Sequence, residues 1–345
     1  MATDPTKQGE QYEKILSQTA SLDEILIQVA KTTGIADRKF SKREIEEARG
    51  NLSPMNDRVA MATFADNKNN DIITGMVNTL RNIHNAPQIS PIEQTYLQEL
   101  SLPDVLGRGM IADMISEGWQ INVVTEIQGK SQADFAVRGT LSSGNIMRRQ
   151  FKKGDDYSEA PDTIGVYILG FNLPELERKK EFVSRIVRAD YDDGKHFLAD
   201  KYSDFYLELK KCTNWKKSEL PQQLHEIWEL CMILGTKIKD QERMIKMAAI
   251  QSPLALNLAR ETRNAVAPDE FVDETLRREQ GLAEIQAFIS KGKKMAIQHA
   301  KQKLAEDMLI AALQNNATPT LIDVMCISAG ITESRLAELK RQAQV

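Results

Sequence analysis

Hydrophobic and polar positions divide the chain into a mixed stretch and a helical one. Up to about residue 50 the pattern is polar and helical. "SLDEILIQVAKTTG" has a serine cap, acids in its first turn and apolar residues three and four apart, and "FSKREIEEARGNL" has the same look. "SPMNDRVAMATFADNKNNDIITGMVNTLRNI" predicts two helices around a polar turn near Asp66–Asn70. Two short apolar runs follow in "IADMISEGWQINVVTEIQ", Ile111 to Gln128, and predict a strand pair. "SQADFAVRGTLSSGNIMRRQFKKG" predicts a helix rich in small and polar residues. "TIGVYILGFNLP" is apolar on both faces and bounded by Pro161 and Pro174, which predicts a central, buried strand. "EFVSRIVRADYDDGKHFLADKYSDFYLELKK" predicts two more strands around the turn "DDGK". Helices alternating with strands over roughly residues 50–215 describe a mixed α/β domain.

From Ser218 onward the period is helical throughout. "SELPQQLHEIWELCMILG" opens with a serine cap, and "PLALNLARETRNAV" continues the pattern. Pro268 to Asn316 then reads as one helix too long for an ordinary globular element. Its apolar residues, among them Phe271, Leu276, Ile285, Phe288, Met295, Leu304 and Leu309, recur at mixed three- and four-residue steps. Such a stripe must be covered by the core, by another helix or by a second subunit. "TPTLIDVMCISAGITESRLAELKRQ" ends the chain with a Thr-capped helix, a turn at Gly330 and a second helix capped by Thr332. That pair has the size of a helix-turn-helix.

Composition narrows the class without naming a function. At 345 residues, 41% hydrophobic and 27% charged, the chain can build a sizeable core and is not a disordered one. A net charge of -4 means that a nucleic-acid partner must be argued from local features. Cys212, Cys231 and Cys326 form neither a disulfide framework nor a zinc motif, and His84, His196, His225 and His299 have no ligand-like spacing. With no secretory start and no apolar stretch long enough to span a bilayer, a reducing, cytoplasmic location without membrane association is expected.

The chemistry concentrates in the strand pair. Asp113 sits on its first run and Glu126 on its second, with Gln128 on the same face as Glu126. Two converging carboxylates repel unless a cation neutralises them or one takes a proton. An oxygen-rich site of this kind suits Mg²⁺, with Mn²⁺ as the alternative. The pairing is the difficulty. If Glu117-Gly118 forms the two-residue turn, Asp113 pairs with Asn122 and Glu126 lies about 13 Å further along. The acids then meet only through a wider loop, Glu117 to Asn122, or a bulge at Val123-Val124.

These segments, in this order, resemble the PD-(D/E)XK nuclease superfamily, specifically the Rpn-type recombination-promoting nucleases, also called PD-(D/E)XK family transposases. "NDRVAMATF" with "NKNNDIITGMVNTL" resembles the family's opening helices, "IADMI" its first metal-acid strand and "INVVTEIQ" its second. Gln150, Gly154 and Tyr157 resemble the continuation of the following helix, and the likeness runs over roughly residues 50–345. Val124 and Thr125 stretch the usual Asn-hydrophobic-Glu spacing, and Ala60 and Met61 replace an aromatic and a lysine.

The resemblance implies a restriction-endonuclease-like α/β core, its mixed sheet flanked by helices, followed by an all-helical C-terminal region. It implies Asp113 and Glu126 as metal ligands, Gln128 in place of the superfamily's lysine, and Arg138 and Gln150 as contacts to substrate phosphate. The organisation expected is a helical extension over 1–50, the nuclease-like core over 51–217, a helical region with the long charged helix over 218–316, and the terminal pair over 317–345. The function expected is Mg²⁺-dependent cleavage of DNA, with self-association through the C-terminal helices. The rival is a catalytically degenerate nuclease fold that binds DNA or protein through those same helices.

Overall fold

The structure is a computed structural model that describes residues 38–97, 112–131, 135–149, 156, 160–187, 201–315, 317–329 and 331–343. The expected helix in "SLDEILIQVAKTTG", the turn "DDGK", and Gln150, Gly154, Tyr157, His196 and Gly330 lie outside them. The chain divides into two units between Glu279 and Gln280.

In the first unit, α1 (Lys42–Asn51) starts at Ser41, whose hydroxyl accepts from the Glu44 N–H while the Glu44 carboxylate accepts from the Ser41 N–H. Asn56 caps α2 (Asp57–Phe64) by accepting from the N–H groups of Arg58 and Val59. A short 3₁₀ turn at Asn67–Asn69 leads into α3 (Asn70–Ile83), so the two helices and polar turn stand as expected. The next element was not foreseen. β1 (Ile92–Leu97) buries only Ile92 and Thr95, and a bulge follows Ile92. An edge strand this polar leaves no apolar run to read.

β2 (Ala112–Gly118) and β3 (Ile121–Gln128) form the strand pair, α4 (Phe135–Arg149) the small-residue helix, and β4 (Asp162–Leu169) the apolar strand. β5 (Val183–Val187) and β6 (Tyr202–Glu208) complete a six-stranded sheet of order β1-β2-β3-β4-β6-β5. β4 runs parallel to both β3 and β6, while the β1–β2, β2–β3 and β5–β6 pairs are antiparallel. The sheet is therefore mixed, and β4 is the central buried strand that its composition predicted.

Side-chain alternation gives the sheet two unlike faces. One carries Met114, Val123, Ile127, Ile164, Val166, Ile168, Phe205 and Leu207, packed with apolar residues of α2 and α3 and of two helices later in the chain. Those are α5 (His225–Leu234) and α7 (Pro253–Ala265), with the charged α6 (Ile238–Met247) between them. On the other face Phe135 of α4 packs with Tyr167, Leu169 and Tyr206, and Ile146 of α4 packs with Ile115 and Val124. This is a restriction-endonuclease-like α/β arrangement. The serine cap expected at Ser218 is not formed. Pro221 holds Leu220 extended at ψ 146°, and two 3₁₀ turns, Lys217–Glu219 and Gln222–Leu224, precede α5.

The long helix appears as expected. α8 (Asp269–Gln314) runs from the first unit into the second, where α9 (Pro319–Ala329) and α10 (Glu333–Gln342) follow. Thr332 caps α10. In the second unit Leu309 and Leu313 pack with Cys326, Leu339 and Ala343, and Arg335 grips both Glu306 carboxylate oxygens, at 3.1 and 2.6 Å. No helix among the described residues is long and apolar enough to cross a membrane.

Val166 is fully buried in the centre of β4. Val166→Asp puts an unpaired carboxylate there, at a cost of several kcal/mol. Thermal or urea denaturation should find the sheet unit unfolded or grossly destabilised, and a cooperative transition near that of the wild type would contradict this placement of β4.

Candidate active site

The β2–β3 connection settles where the two acids stand. Gly118 pairs with Ile121, so the two-residue turn is Trp119-Gln120 rather than Glu117-Gly118. Gln120 takes a left-handed φ of 55°, and its carbonyl accepts from the Asp162 N–H at 2.9 Å, tying the turn to β4. Gly118 is a glycine for another reason. A Cβ there would lie 2.6 Å from the Pro91 carbonyl oxygen, where the chain entering β1 presses against β2. A two-residue turn at Glu117-Gly118, one of the arrangements the sequence allows, would lie two residues too early, and this glycine serves a close approach instead.

With the turn so placed, register runs unbroken from Gly118↔Ile121 through Ser116↔Val123 and Ile115↔Val124 to Asp113↔Glu126. Neither a wide loop nor a bulge at Val123-Val124 is needed. Residues directly opposed in an antiparallel ladder share one face, with Cβ atoms about 4.5–5.5 Å apart. Asp113 and Glu126 are such a pair, and the stretched spacing through Val124 and Thr125 is what aligns them. The third acid of the segment, Glu117, accepts from the Gln94 amide at 2.7 Å and the Tyr96 hydroxyl at 2.6 Å, so β1 engages it.

All eight residues of β3 are buried. Glu126 is 1% exposed, and its register neighbour on β4 is Tyr167, beyond which lies Tyr206 on β6. The Tyr206 phenol is pushed well above its ordinary range, first by burial and then by the charges of Asp204, Tyr202 and Glu126. Gln128, 4% exposed, shares the Glu126 face. Its Nε2 donates to the Lys130 carbonyl at 3.0 Å, and its Oε1 has no hydrogen-bond partner among the described residues. Beyond the end of β3, a Cβ added to Gly129 would lie 3.8 Å from the Met55 carbonyl oxygen, so the start of α2 stands beside the site. There Asn56 donates to Glu279 at 2.7 Å, and burial raises the Asp57 carboxyl despite Arg278 3.7 Å away.

Arg138 lies in α4, one residue before Gly139. The Tyr167 hydroxyl stands out in the sequence as a polar exception in the apolar run, but sequence reasoning gives no role to it or to Ser143 and Gly139, which join α4 to the sheet next to Glu126. A hydroxyl inside the apolar run "TIGVYILGF" was the available signal. Among the described residues no three His, Cys, Asp or Glu side chains converge. Mg²⁺ does not require that, since it is commonly held by one or two carboxylates and several waters. An opposed acid pair with a buried, unpartnered amide oxygen two residues along β3 is a hard-oxygen donor set that fits such an ion.

A family model described as PD-(D/E)XK nuclease family transposase matches residues 54–270. No curated protein and no solved structure gives a significant match to the chain. The matched span opens just before α2 and closes at the start of α8, so it takes in the whole sheet, the opposed acids and the helices on both faces. The match covers most of the chain's length, and this chain therefore belongs to the PD-(D/E)XK nuclease family transposases.

Proposed function

We propose that the protein is a divalent-metal-dependent DNA endonuclease of the recombination-promoting, transposase-associated type, hydrolysing phosphodiester bonds at the Asp113–Glu126 pair. The direct opposition of these two residues across the β2–β3 ladder carries the reading. Asp113 and Glu126 would hold Mg²⁺, or Mn²⁺ in its place. When bound, such an ion neutralises phosphate charge and makes water a better nucleophile near neutral pH. Burial of Glu126 keeps bulk water from competing for the carboxylate. Gln128 offers its Oε1 as an acceptor that orients the attacking water. It supplies no positive charge where the superfamily has a lysine. Arg138, and Gln150 beyond the described end of α4, are the proposed phosphate contacts. The location proposed is cytoplasmic, in keeping with the free, buried Cys212, Cys231 and Cys326.

A second reading is favoured by one observation in the second unit. Leu321, Val324 and Ile327 recur every third residue along α9 and are exposed, Ile327 to 81%. Exposed apolar side chains at such spacing suit association, with another copy or with a partner. The terminal helices would then position the protein, whether or not its nuclease core cleaves.

Nicking of supercoiled plasmid DNA tests the first reading. Wild type should nick with Mg²⁺ and lose the activity on chelation, while Glu126→Gln and Asp113→Asn should each lose more than about a hundredfold. Undiminished nicking by folded Glu126→Gln would end the assignment. Removal of residues 317–345 tests the division of labour. Cleavage of a short duplex should persist, while self-association or DNA targeting weakens. Loss of that cleavage by a truncated protein that stays folded, with unchanged oligomeric state and DNA affinity, would place the helix pair in the active site.

A further inference from the structure

Tyr167 is fully buried beside Glu126, and more of the molecule is arranged around its hydroxyl than its packing requires. Its ring stands edge-on to Phe135, with centroids 5.9 Å apart, and stacks on Tyr206 at 4.8 Å. A phenylalanine would satisfy both contacts. The hydroxyl instead donates to the Gly139 carbonyl of α4 at 2.7 Å and lies 2.8 Å from the Ser143 hydroxyl. Ser143 also donates to Asp204 at 3.3 Å, and the Tyr202 hydroxyl donates to the same carboxylate at 2.6 Å.

Phe135, Gly139 and Ser143 are four residues apart, so one tyrosine touches three successive turns of α4 along a single face. Two glycines leave room for it. A Cβ on Gly139 would come within 2.9 Å of the Tyr167 ring, and one on Gly165 within 2.6 Å of that ring and 2.1 Å of the Asp204 carboxylate. Glycine inside a helix or a strand is intrinsically unfavourable. The chain accepts it in both elements around this side chain. A helix carbonyl already accepts within its own helix, so the hydroxyl's particular effect is to set the height and rotation of α4 over β3 and β4.

We infer that Tyr167 is a positioning residue, which holds α4 so that Arg138, one peptide from the Gly139 carbonyl, is placed against substrate phosphate. The inference rests on the nuclease reading for its reaction and on the Arg138 phosphate contact for its target. The substrate class it implies is a nucleic-acid backbone engaged over the α4 face of the sheet.

Affinity and turnover test it separately. In Glu126→Gln protein, binding of a short fluorescent duplex in Mg²⁺ is compared for Arg138→Ala, Tyr167→Phe and the double variant, with Ser143→Ala as a second route into the network. Tyr167→Phe should weaken binding, and Arg138→Ala should add little on top of it. In the otherwise wild-type chain, Tyr167→Phe should lower kcat about tenfold to a hundredfold while melting cooperatively. If Arg138→Ala weakens binding by the same factor with and without the Tyr167 hydroxyl, or if Tyr167→Phe only lowers Tm, the inference is overturned. Should the wild type fail to cleave while the two substitutions remain coupled in binding, the nuclease reading falls and the positioning of Arg138 stands. Absence of both cleavage and coupling removes both.

Discussion

Everything proposed for the site depends on the pairing register of β2 with β3. Side chains alternate along a strand, so a slip of one residue would carry Glu126 and Gln128 to the face packed by α2 and α3, and Val123 and Ile127 to the other. Two contacts outside the hairpin hold the register. The chain before β1 closes on Gly118, and the Gln120 carbonyl is bonded to the first residue of β4. The apolar face adds a third constraint, since Met114, Val123 and Ile127 all lie in the main core. The acid pair is thus a product of hydrophobic alternation and backbone closure, neither of which involves the acids themselves.

Much of the architecture was legible because it follows from periodicity. The β4 run, the two opening helices, the long α8 and the capped terminal pair all stand where their patterns put them. What escaped depended on contacts between segments remote in sequence. Gly118 looks like a turn residue until Pro91 is seen against it. β1 is too polar to announce itself, and its identity comes from pairing with β2. At Ser218 a good cap was outweighed by Pro221 three residues later.

The candidate site divides in the same way. Asp113, Glu126 and Gln128 could be chosen from sequence, but whether the acids meet could not, because a two-residue shift of the turn separates them by half the length of β3. The Tyr167 connections were invisible for a different reason. Its partners come from α4 and β6, and only the parallel pairing of β4 with its neighbours brings them together.

The mixed order of strands also bears on how the site assembles. Asp113 and Glu126 belong to one hairpin, a local structure of the kind that closes in about 1–10 μs. Tyr167 and Tyr206 reach the same row only through parallel pairings across long connections, which form slowly because chain entropy is lost before the contacts repay it. The two acids can therefore be neighbours in a nascent chain whose site still lacks its aromatic wall and lies open to water. In that interval the pair is solvated, and completion of the β3–β4–β6 ladder is what buries Glu126 as it stands in the folded protein.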